Sequence, residues 1–147
     1  MNSLFETESL QEIESRIDKL DEKTEPKWGK MNAGQMAYHC QFPLRVALNK
    51  EDYKMKPNFI LKLLFKKYMY NDKPWRKSLP TLPKFRVTEN KNLEKEKSKL
   101  LLLIHEFHEK KEQDKWIAHP VFGEFTTEQW GQIQYKHLDH HLTQFGI

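Results

Sequence analysis

Gln134-Tyr-Lys-His-Leu-Asp-His-His-Leu-Thr-Gln-Phe145 holds three of the chain's seven histidines, His137, His140 and His141. His137 and His141 are four residues apart. On a helix that spacing stacks two side chains on one face, with Cβ atoms about 5–6 Å apart. At about 100° per residue, Trp130, Ile133, His141 and Gln144 all fall within about 40° of His137. The pair therefore lies on the inward stripe of a helix over 127–145, and His140 lies at the edge of that face. Thr126 and Gln129 have the spacing of a capping box, which marks where this helix starts. Inward histidines are costly unless their nitrogens are partnered. Two imidazoles so placed can hold one divalent ion. The alternatives are a hydrogen-bonded core pair or a surface cluster.

Three more segments carry helical spacing. One spans 8–20, with Leu10, Ile13, Ile17 and Leu20. Another spans 33–48, with Met36, His39, Phe42 and Val46. The third spans 92–113, with Leu93, Leu100, Ile104 and Phe107. The first and last connectors are about ten residues each. The middle one runs from about 49 to 91 and contains Pro57, Pro74, Pro80 and Pro83. An up-down bundle needs only short loops. A connector this long can cross the bundle, which lets the second and third helices run parallel. Its apolar piece, Phe59-Ile-Leu-Lys-Leu-Leu-Phe65, is expected to be buried, against the bundle or in a homodimer.

The second segment supplies a third histidine. His39 is central to its apolar face. Pro43 cannot donate to the His39 carbonyl four residues earlier, so a kink is expected beside it. Cys40 lies about 100° round from His39 and does not share its direction. On the third helix His108 falls near the inward stripe. It can face the site or serve as a structural histidine at the helix edge.

Composition sets the frame. A chain of 147 residues forms one domain with a real core. Charged residues make up 31% and there are only five glycines, which favours helix. No run reaches a membrane span, so no membrane partner is expected. The first residues are polar and acidic, with no signal-peptide pattern, and a lone Cys40 fits a reducing cytoplasm. Residues 49–77 carry nine basic and three acidic side chains, a net +6, within a chain of net +4. Only this segment can attract an anionic partner. Nucleic acid is disfavoured, because its charges share no helix face and no known binding motif is present.

The pattern His137-x-x-His-His-x-x-Gln144, with His39 on the second helix, resembles the DinB/YfiT-like superfamily of four-helix metal-binding proteins. The stretch from His119 to Gly146 and the stretch Lys30-Met-Asn-Ala-Gly-Gln-Met-Ala-Tyr-His-Cys40 look like one uncharacterised branch of it. The resemblance covers most of the chain. It implies an all-α, up-down-down-up four-helix bundle over 1–147. It also implies a divalent ion on His39, His137 and His141, with His140 a neighbour outside the ligand set.

Imidazole donors suit zinc or nickel. Three neutral histidines leave a coordination position open for a small-molecule substrate, the usual arrangement of a catalytic site. Gln144 is placed to hydrogen-bond a ligand or substrate. The resemblance implies a hydrolase or a thiol S-transferase without fixing the reaction. The other reading is a non-catalytic bundle that binds a metal or a small ligand.

Overall fold

A computed structural model describes residues 2–55, 58–79, 81 and 83–147. Among the described residues six helices form: α1 Thr7–Asp18, α2 Ala33–His39, α3 Gln41–Ala47, α4 Phe59–Met69, α5 Leu93–His108 and α6 Thr127–Gln144. A short 3-10 turn follows at Pro83–Phe85, and the described residues contain no β-strand beyond a single bridge between His119 and Gly123.

The helices start where their side chains supply caps. Asn32 and Gln35 form a reciprocal capping box on α2, and Thr126 and Gln129 form the one expected on α6. Asn92 caps α5 by accepting from the Lys95 N–H. Helix α5 stops at His108, short of the expected 113, because its apolar stripe ends at Phe107 and four charged residues follow. Helices α2 and α3 are one helix broken at Cys40. The break directly follows His39, the residue whose carbonyl Pro43 cannot satisfy.

Cross-helix bonds fix the directions. Asn32 bonds Asn90, Gln41 bonds the Glu96 carboxylate, and Lys50 pairs with Glu106. Partner numbers rise together, so α2–α3 and α5 run parallel. Tyr135 bonds Glu12, and Arg16 pairs with Asp139, so α1 and α6 are also parallel. Gln134 donates to Pro43 O while Gln144 donates to Trp28 O, so α6 runs against α2–α3. This is the up-down-down-up order, with 49–91 as the crossover.

The core lies between these four strata. Trp130, Phe107, Ile13, Ile17, Met36, Leu44, Leu100, Ile104 and Leu138 are fully buried. No described helix is long and apolar enough to cross a membrane. Close approach of α2 to the start of α5 depends on Gly34, where a Cβ would meet the Lys91 carbonyl oxygen. Gly34→Ala is therefore expected to destabilise the fold by about 1–3 kcal/mol, the usual cost of overpacking. A denaturant midpoint equal to wild type would show that this end of the bundle yields easily.

The expectation of burial against the bundle is corrected. The apolar piece of the crossover forms α4, but α4 buries none of its side chains. Phe59 is 75% exposed, Leu63 71% and Leu64 64%, whereas Leu61 is half-buried. The helix rests edge-on against the loop before α6, where Lys66 donates to the Glu124 carbonyl. Its apolar face points outward because the four main helices already fill the core.

Candidate metal centre

Helix α2 ends at His39, one residue before the break, and this last turn faces the middle of α6. His39, His137 and His141 come together there, all buried, with one potential ligand nitrogen from each lying within 4.8 Å of the others. Their rings are 4.7–5.2 Å apart, centroid to centroid. The i, i+4 spacing on α6 supplies two of the rings and the antiparallel packing of α2 supplies the third.

Hydrogen bonds orient two of these rings. His39 Nδ1 lies 3.1 Å from the Phe85 carbonyl oxygen, and His141 Nδ1 lies 2.9 Å from Gln144 Oε1. Gln144 Nε2 donates to Trp28 O, which turns its carbonyl oxygen toward His141. An oxygen acceptor requires the N–H to sit on Nδ1. The lone pairs of His39 and His141 are thereby left on Nε2. Metal-ligating histidines are held in this way, with the second ring nitrogen donating to a carbonyl. His39 Nε2 and His137 Nε2 are 3.3 Å apart. Nitrogens about 2.0–2.1 Å from one tetrahedral ion are separated by about 3.3–3.4 Å, so the pair has the spacing of two ligands. His137 departs from the pattern, because its buried Nδ1 has no hydrogen-bond partner.

The electrostatics keep these rings neutral. Burial pushes the His137 pKa well below its usual value, helped by His141 and His39. Burial lowers His141 to about 3. His39 is lowered by burial, partly offset by its bond to Phe85. Neutral imidazole is the form that binds a metal. The donor set therefore fits a divalent ion in position and charge, and at His39 and His141 in tautomer.

The surroundings come largely from the crossover. Trp75 lies against His137 and His140, at 5.8 and 5.7 Å between ring centroids. Its indole N–H donates to Tyr68 O. Lys136 donates to Tyr68 O, Asn71 O and Asn71 Oδ1, and burial lowers its pKa to about 8. The residue next to His137 thus ties the crossover to α6. A cavity of about 630 Å³ opens beside His141, lined also by His140, Gln144, Trp28 and Phe85.

The remaining candidates lie elsewhere. His140 stays at the rim between Trp28 and Trp75, outside the trio. His108 does not join the site. Its Nδ1 lies 2.8 Å from Leu4 O at the other end of the bundle. His105 pairs with Glu14. His119 accepts the Val121 and Phe122 N–H groups and holds the turn before α6. Cys40 is buried, and burial raises its thiol pKa, so it offers no thiolate. Phe85, Trp28 and Lys136 were not singled out from the sequence.

No curated protein and no solved structure matches this chain. A family model described as "Protein of unknown function (DUF1569)" matches residues 2–146, nearly the whole chain, and the protein belongs to that family.

Proposed function

We propose that the protein is a metal-dependent enzyme that holds one divalent ion, zinc or nickel, on His39, His137 and His141 and acts on a small molecule in the adjoining cavity. The observation that carries this reading is the convergence of three buried, neutral imidazoles beside an open cavity. The place of the matched family within the DinB/YfiT-like superfamily supports it. A cytoplasmic setting suits the unpaired Cys40.

An ion held there supplies Lewis acidity to a water or thiol that enters the cavity. The chain's own residues do the rest. Phe85 O and Gln144 fix two ring tautomers. Trp75 covers His137 and restricts water. Trp28 and Phe85 give an apolar wall for an organic substrate.

Among the described residues no carboxylate lines the cavity. Hydrolysis there would use water ionised by the ion itself, with His140 at the cavity wall as the nearest base. A thiol is already acidic enough to ionise beside a cation. The same lack of a carboxylate is what a non-catalytic metal-binding bundle would show. Cobalt substitution separates the readings. With an accessible coordination position, adding 2-mercaptoethanol should produce a thiolate-to-cobalt absorption band. A cobalt spectrum unmoved by thiol would mean a closed, structural site and would exclude thiol transfer.

A further inference from the structure

The cavity beside His141 has a one-sided charge. Lys30 and Arg86 line it, on opposite connectors, and no aspartate or glutamate does so among the described residues. Both side chains are exposed, so neither is occupied in holding the core. Arg86 Nε donates to Thr81 O, another lining residue, which holds the guanidinium at the wall. Lys77 adds a third cation at the edge, its ammonium 4.8 Å from the centre of the Trp28 ring. The rest of the wall is mainly apolar, with Trp28, Met31, Leu79 and Phe85 contributing. A volume of about 630 Å³ is that of a drug-sized ligand site.

From this we infer that the substrate is an amphipathic organic anion. Its acidic group pairs with Lys30 and Arg86, and its apolar body lies against Trp28, Met31 and Phe85. The end turned to His141 reacts. The assignment rests on the metal-enzyme reading above and names the substrate class for that site. An acidic group is recognised here by cations carried on two separate connectors, which a neutral molecule of the same shape cannot use. Arg86 offers a planar fork and Lys30 a mobile point charge, so carboxylate, sulfonate and phosphate groups can all be held.

Two fluorescent probes with one ring system test this. 8-Anilinonaphthalene-1-sulfonate carries the anion, and N-phenyl-1-naphthylamine lacks it. The full chain should bind one sulfonate probe at least about tenfold more tightly than the neutral one, a difference of about 1.4 kcal/mol. The double change Lys30→Glu, Arg86→Glu should weaken the sulfonate probe by about tenfold or more and leave the neutral probe within about twofold. Should the double variant fold poorly by circular dichroism, Lys30→Gln and Arg86→Gln singly should each show the same discrimination at smaller size. Leu63→Ser, on the exposed face of α4, should change neither probe. Equal affinity for both probes, or a sulfonate affinity indifferent to Lys30 and Arg86, would overturn the assignment. So would a loss confined to Leu63→Ser, which would locate the binding on α4. Metal content is measured on every sample. Sulfonate discrimination absent with metal retained defeats the substrate class alone, whereas metal absent throughout defeats the reading beneath it.

Discussion

His137→Ala is expected to abolish stoichiometric binding of a divalent ion, and His141→Ala to do the same, while His140→Ala retains it. His137 and His141 face one point together with His39, whereas His140 sits at the rim between two tryptophans. Gln144→Ala should have an intermediate effect. It removes the acceptor of the His141 Nδ1 proton, and losing such a partner costs about 10–100-fold in metal affinity. Competition titration of apoprotein against a chromophoric chelator reads all four variants on one scale. Metal lost in His140→Ala and kept in His141→Ala would reverse the assignment. Retention in both His137→Ala and His141→Ala would reduce the trio to a structural core cluster.

Acid should destabilise the metal-free protein well above the carboxylate range. Burial lowers His119 to about 4 and His141 to about 3, and drives His137 down as well. These folded-state values lie below the ordinary 6.5, so the unfolded chain takes up protons that the folded one refuses. Stability is therefore fully present above about pH 6.5. It falls as pH drops toward each folded value. At pH 5 each such histidine is about 1.5 units into that window, a cost of about 2 kcal/mol. His119 and His141 together then remove about 4 kcal/mol, a large share of the roughly 5–15 kcal/mol that holds a domain folded. Urea midpoints at pH 7.5, 6 and 5 in chelator check this. A midpoint unchanged between pH 7.5 and pH 5 would mean that these rings are wetter than their burial indicates.

Much of this was legible in the sequence, because local periodicity encodes the helices and their inward faces. The His137–His141 pair, the Thr126–Gln129 cap and the break beside His39 all follow from spacing within a few residues. The parallel course of α2–α3 and α5 follows from connector length, a chain-geometry constraint. What spacing does not encode is which distant segments meet. His39 is oriented by Phe85, 46 residues away in sequence, through a backbone carbonyl that any residue could supply. Lys136 reads as a surface lysine from its charge, yet its ammonium is held by two carbonyls and an amide of the crossover. His108 has the right phase on its helix but the wrong height, since phase fixes a direction and not a level along the bundle. The exposed face of α4 misled for a related reason. An apolar run signals burial only if the core has room for it.

The most direct test of the three-histidine centre is elemental analysis of the native chain, purified without chelator or metal-affinity resin and dialysed against excess zinc or nickel. About one tightly held divalent ion per chain is expected, released as pH falls and the three imidazoles protonate. A chain that retains no ion after such loading would contradict it.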